Sequence, residues 1–117
     1  MNAQFKKGAL EICVLAVLER GDCYGYDLVT RISRHIDITE GTIYPLLRRL
    51  RDLEQVETYL AESPDGPPRK YYHITDAGKA ALKESRGEWE RFTVGMNAIL
   101  QGRENMVSAQ YEEGLNR

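Results

Sequence analysis

The side chains with the clearest chemistry lie between Gly41 and Arg51, in GTIYPLLRRLR. Gly41, Tyr44 and Arg48 recur at steps of three and four, Arg49 and Arg51 flank them, and the stretch holds no acidic residue. On a helix such steps share one face. That face offers a guanidinium fork for guanine edges, a phenol and further guanidinium groups for phosphates, and a glycine that admits another backbone. This is the chemistry of a helix laid in a DNA major groove. Ile43, Leu46, Leu47, Leu50 and Leu53 fall on the other side and predict packing. An arginine cluster on one helix is more often a solvated face, so its neighbours decide what it means.

Nothing else in the chain resembles a reactive constellation. There is no GxSxG, no HExxH and no glycine-rich phosphate loop, and no carboxylates are paired in a suggestive setting. His35 and His73 fit no ligand spacing. Cys13 lies in an apolar run and Cys23 in a turn, so they form no CxxC and read as free thiols. No catalytic residue, metal or cofactor is expected, and an enzyme is the least supported class.

At 117 residues with 42% hydrophobic content the chain suits one small domain with an appended element. Its net charge of −2 excludes a globally basic nucleic-acid coat, so any DNA contact must come from a local patch. The opening MNAQFKK lacks the apolar core of a signal peptide, and no apolar run approaches the roughly 18 residues of a membrane span. The expectation is a cytoplasmic protein without a membrane partner.

The elements that would position the arginine face follow from periodicity. Residues 8–20 are apolar on nearly every side and predict a central helix stopped by Gly21. Leu28, Val29, Ile32 and Ile36 predict a second helix over 24–36, with Arg31 and Arg34 outward. The third helix can start from Thr39 or from Thr42. We expect a start near Thr39 and a bend around Pro45, which cannot donate to the Gly41 carbonyl. Alternation over 56–63, the turn formers SPDGPP and the aromatic run 69–75 predict a β-hairpin with a basic tip. Thr75 or Asp76 then caps a long helix whose apolar track, Leu82, Trp89, Phe92, Met96 and Ile99, is a heptad seam. That seam predicts a partner helix on a second copy of the chain. Gly87 and Gly95 within it suggest close helix approach, and the polar residues after Leu100 predict fraying or a short extra helix. The fold class expected is mainly α with a small β-hairpin: a winged helix-turn-helix over residues 1–75, and a C-terminal dimerisation helix and tail over 76–117.

In this order, YGYDL at 24–28, GTIYPLLRRL at 41–50 and RKYYHITDAGKAAL at 69–82 resemble the PadR-like transcriptional regulators, in the short form with one C-terminal helix. The resemblance implies a winged-helix repressor that dimerises through its last helix, aided by the first, and leaves its operator when an effector binds or conditions change. It implies DNA-facing roles for Gly41, Thr42, Tyr44 and Arg48. It places Tyr24 and Tyr26 near a phosphate backbone, and Arg69 and Lys70 on the wing. Arg49 joins the expected contacts as a phosphate-neutralising cation. Two departures stand out: the wing reads DGPPRK, with less glycine than usual, and Leu53-Glu54-Gln55 lacks the glycine often found there. For Tyr26 and Tyr72 the residues themselves favour core aromatics over DNA contact, whereas the wheel points Tyr44 outward. Trp89, Phe92 and Met96 read as dimer interface. The alternative is a site for a planar aromatic effector, which similar multidrug-sensing members hold between facing tryptophans.

The function expected is sequence-specific binding of palindromic double-stranded DNA by a homodimer. The rival, allowed by the overall acidity, is an interaction module whose arginine face meets an acidic protein.

Overall fold

The apolar positions of the first three helices converge on one core. In the computed structural model, which describes residues 3–103, the order is α1 (Ala3–Glu19), β1 (Cys23–Tyr24), α2 (Gly25–Ser33), α3 (Glu40–Asp52), β2 (Val56–Ser63), β3 (Gly66–Ile74) and α4 (Asp76–Leu100). The fold is mainly helical with a three-stranded antiparallel sheet in the order β1-β3-β2. Residues up to Lys83 form one compact unit and those from Glu84 a second. The proposed tail beyond residue 103 lies outside the described residues.

In the first unit α1 contributes Leu10, Val14, Leu15 and Leu18 to the core, with Ile12, Cys13, Ala16 and Val17 half-buried around them. Apolar residues on most sides give α1 its central place. Leu28 and Ile32 of α2, Ile43, Leu47 and Leu50 of α3, Val56 and Ile74 of the sheet and Leu82 of α4 complete the core. Leu53 does not join it. The helix stops at Asp52, so Leu53 leaves the wheel that placed it with the packing residues and is 47% exposed.

Thr39 is the N-cap of α3, which continues through Pro45. Its far end is a Schellman turn: the Gln55 amide donates to the Leu50 carbonyl at 2.9 Å and the Glu54 amide to Arg51 at 2.9 Å. Glu54 occupies the left-handed position with φ 59°, a conformation that favours glycine. The next junction is clamped by Thr75, whose hydroxyl donates to the Glu54 carbonyl at 2.7 Å and accepts from the Gly78 amide at 3.0 Å. Thr75 thereby caps α4 and ties its start to the end of α3.

The hairpin is tighter than SPDGPP suggests. Ser63 pairs with Gly66, leaving only Pro64 and Asp65 to turn, and the register shifts between Ala61 and Ser63. The shift falls opposite Pro67 and Pro68, which have no amide to give a ladder. β1, a two-residue strand pairing Cys23 with Tyr72 and Tyr24 with Tyr71, anchors the start of α2 to the wing.

In the second unit α4 ends in another Schellman turn, with Gly102 at φ 73° and the Arg103 amide donating to Ala98. Its surface exposes Val94, Ile99 and Leu100. No helix among the described residues is long and apolar enough to cross a membrane.

Candidate nucleic-acid interface

A groove of about 440 Å³ opens where the start of α2, the middle of α3 and the wing meet. Its walls are Tyr24, Gly25 and Tyr26 from the β1–α2 junction, Tyr44, Leu47, Arg48 and Arg51 from α3, and Arg69, Lys70 and Tyr72 from β3. None of these residues is acidic. A positive concavity with aromatic walls suits a polyanion carrying flat bases.

Each segment supplies its side chains for a local reason. Residues three and four apart on α3 bring Tyr44, Leu47, Arg48 and Arg51 to one edge. Leu47 is fully buried, so the row is pinned to the core beneath it. Arg69 folds its guanidinium over the Tyr24 ring, 4.5 Å from the centroid. Tyr24 in turn leans on Tyr71, and Tyr71 stacks on Tyr59 at 5.6 Å. The wing and the start of α2 are thus joined by rings.

Of the sequence-expected residues, the groove gathers Tyr24, Tyr44, Arg48, Arg69 and Lys70. Gly41 is exposed at the start of α3, and the Thr42 hydroxyl lies 3.4 Å from that of Thr39; neither lines the groove. Arg49 faces away: its Nη1 donates to Glu11 Oε1 of α1 at 2.5 Å, a strut between the two helices. Arg51, which flanks the row in the sequence, lines the groove where Arg49 does not. Among the described residues Arg51 makes a long, exposed approach to Asp52 at 4.0 Å.

Two tyrosines depart from the sequence reading. Tyr26 is 60% exposed on the groove rim rather than core, while Tyr72 is buried as expected. Tyr44 is not fully outward. Its ring packs against the core and the first turn of α2, and burial, then the charge of Glu40, raises its hydroxyl above the ordinary phenol pKa. Tyr72 is raised by burial and by Tyr44, and is pulled back by the positive charges of Arg51 and Arg48.

Cys23 is buried, accepts a bond from Arg31 Nη1 at 3.1 Å, and has its thiol pKa raised, chiefly by burial. That is a packing thiol, not a reactive one. On α4, Trp89 and Phe92 form a tilted ring pair 6.1 Å apart, and Trp89 and Met96 are 37% and 40% exposed.

Comparison with known proteins agrees with this architecture. The model of the Transcriptional regulator PadR-like family matches residues 14–84. A transcriptional regulator of Mycobacterium tuberculosis is 32% identical over 84 residues, 71% of this chain and 78% of its own length. The crystal structure of a PadR-like transcriptional regulator from Bacillus cereus is 41% identical, with a TM-score of 0.77, and the match covers 84% of this chain and 97% of that one. Bacillus subtilis PadR, solved in complex with operator DNA, is 25% identical with a TM-score of 0.59, over 65% of this chain and 44% of its own. With the family's pattern running from the first helix into the last, over most of the compact unit that holds the groove, the chain belongs to the PadR-like family of transcriptional regulators.

Proposed function

We propose that this protein is a cytoplasmic homodimeric repressor that binds a palindromic operator through the groove and α3, and that a small planar aromatic effector releases it. One observation carries the DNA reading: Arg48, Arg51, Arg69 and Lys70 converge on a concavity with no carboxylate in its walls, in a chain of net charge −2. The relative solved with operator DNA supports it. Arg48 reads base edges, Tyr44 and Tyr24 hold phosphates, Gly41 and Thr42 lie where α3 enters the major groove, and Arg69 and Lys70 follow the backbone from the wing. Arg49, spent on Glu11, is left out of the contact set.

A twofold dimer with two such helices requires half-sites about one helical turn, roughly 34 Å, apart. The exposed Phe92, Met96 and Ile99 of α4 support the dimer, since a narrow apolar seam is buried by a second copy of itself. Trp89 and Phe92 would then flank a flat ligand at that seam.

The test is fluorescence anisotropy against the DNA upstream of the protein's own gene, at two salt concentrations, with a scrambled duplex as control. Selective binding is expected, with log K falling by about 0.9 per log unit of salt for each phosphate neutralised. Arg48→Ala should lose discrimination, and Arg51→Ala should weaken both duplexes and flatten the salt slope by about one contact. Arg49→Ala should bind like the parent. Equal, feeble binding to both duplexes, and to a pool of random sequences, would favour an acidic protein partner instead. Release by planar aromatic compounds, tracked by quenching of the single tryptophan, tests the effector.

A further inference from the structure

We infer that Gly25 is a positioning residue for DNA recognition: having no side chain, it seats the Tyr44 phenol on the first turn of α2 and so fixes where the Tyr44 hydroxyl meets the nucleic acid. The inference rests on the DNA-binding reading above.

Gly25 is the first residue of α2 and is buried. Its φ is negative, so its backbone could be held by any L-residue. Within a helix alanine is favoured over glycine by about 1 kcal/mol, and local conformation therefore gives no reason for glycine here. Space does. A methyl group at this position would lie 2.7 Å from Tyr44 Cε1, 2.8 Å from its hydroxyl oxygen and 3.1 Å from Cζ. Carbon atoms do not approach so closely, so something must move.

The elements on either side are not free to move. Tyr24, one residue earlier, is locked in the β1–β3 ladder, and Leu28, one turn later, is fully buried. On α3 the neighbours Ile43, Leu46 and Leu47 are each at most 2% exposed. The group that yields is the far end of the Tyr44 side chain, which is only partly buried and can rotate off the α2 surface. Its rotation removes one wall of the groove beside Arg48 and Arg51 and gives up the ring's own packing on the core, while the fully buried residues beneath it stay in place. Gly25 thus acts through Tyr44, from 19 positions away in sequence, without itself presenting a group to DNA.

The experiment is a double-mutant cycle on the full chain: parent, Gly25→Ala, Tyr44→Ala and the double variant, each measured for operator affinity by anisotropy and for melting temperature by circular dichroism. Arg48→Ala is measured alongside. Tyr44→Ala should weaken operator binding about tenfold, the scale of one hydrogen bond to a charged group. Gly25→Ala should weaken it comparably while melting within a few degrees of the parent. The double variant should bind no worse than Tyr44→Ala, because a displaced ring and a missing ring are equivalent to the DNA. Gly25→Ala binding like the parent would overturn the proposal, as would losses that multiply in the double variant. A Gly25→Ala chain that unfolds, whether or not the double variant recovers, would make Gly25 a packing residue only. Failure of the underlying reading has its own signature: Arg48→Ala would then bind like the parent, and no variant would separate operator from scrambled DNA.

Discussion

Replacing Gly78 with alanine sets helix propensity against packing, and the structure decides the sign. Gly78 stands in the first turn of α4, where alanine would gain at most about 1 kcal/mol. A methyl group there overlaps the Gln55 carbonyl oxygen and comes within 2.7 Å of Ile74 Cγ1. Relief requires the backbone between α3 and β2 to back away from α4. That motion pulls on the Thr75 amide bond to Gln55 at 3.1 Å, the Thr75 hydroxyl bond to Glu54 and the Thr75 cap on the Gly78 amide. Overpacking costs about 1–3 kcal/mol, and losing the cap and one backbone bond about 1 kcal/mol each. With the propensity gain deducted, a net loss of about 3 kcal/mol remains. For a domain of this size each kcal/mol moves the melting temperature by at least about 4 °C, so the variant should melt about 12 °C lower. Thermal and urea unfolding followed by circular dichroism, at fixed protein concentration, would measure it. Gly8→Ala, whose methyl group meets nothing within 4 Å, serves as the control and should be neutral or slightly stabilised. A Gly78→Ala protein as stable as the parent would refute the claim that this junction is rigid.

The cluster at the α1–β1 turn predicts a pH signature. Tyr59 donates to Asp22 Oδ2 at 2.6 Å and His73 Nδ1 lies 2.8 Å from Oδ1. The Tyr59 bond foremost holds Asp22 below the usual carboxylate range, and Asp22 pushes Tyr59 up to about 12. The carboxylate's contribution to stability is therefore present above the unfolded pKa of about 3.9 and is lost as pH falls through the lower folded value. The phenol's contribution is present below about 10 and is lost as pH rises from there towards 12. In Asp22→Asn the late-ionising tyrosine should disappear from a tyrosinate absorbance titration; its persistence would break the link. Glu54→Gly should stabilise the fold slightly, by at most about 1 kcal/mol, and so raise the urea midpoint, since relief of the left-handed strain outweighs the extra freedom of the unfolded chain. A clear loss of stability would mean the Glu54 side chain does more than occupy the turn. If the chain dimerises through α4 as proposed, Ile99→Glu should give a monomer by light scattering where the parent gives a dimer, while leaving the helical circular dichroism near that of the parent; a variant that stays dimeric would remove α4 from the interface.

How much of this was legible depended on the range of the interactions. The alternation of Val56, Thr58 and Leu60 with Glu57, Tyr59 and Ala61 located β2 at its observed bounds, because strand pairing leaves a period of two in the chain itself. Thr75 was readable as a cap from residue type and place. β1 was not, since two residues carry no period and its existence depends on Tyr71 and Tyr72, far along the chain. The seat of Tyr44 on Gly25 was equally hidden. A glycine records that something comes close but not what. Arg51 is a different kind of miss: Tyr44, Leu47, Arg48 and Arg51 already stand at steps of three and four, so the row on one edge of α3 was present in the spacing. Counting arginines rather than tracing that row admitted Arg49, which lies one residue and about 100° from Arg48.

The three arginines of α3 show how an acidic chain can hold a polyanion. Arg49 meets Glu11 of α1, so its charge is paired on the side of α3 that faces α1. Arg48 and Arg51 turn to a groove whose walls carry no carboxylate, and Arg69 and Lys70 reach the same space from the wing. Had all three arginines been free, the helix would attract phosphate on two sides and bind DNA in more than one orientation. Pairing the outer one confines the positive field to the side that α2 and the wing also line. On the proposed reading, the net charge of −2 would then work for selectivity: the rest of the surface would offer a polyanion little attraction, and binding would depend on alignment with the groove. Glu11→Gln tests this argument. Freeing Arg49 should strengthen binding to scrambled DNA more than binding to operator and narrow the gap between them, whereas an equal gain on both duplexes would show that Glu11 sets only the overall charge.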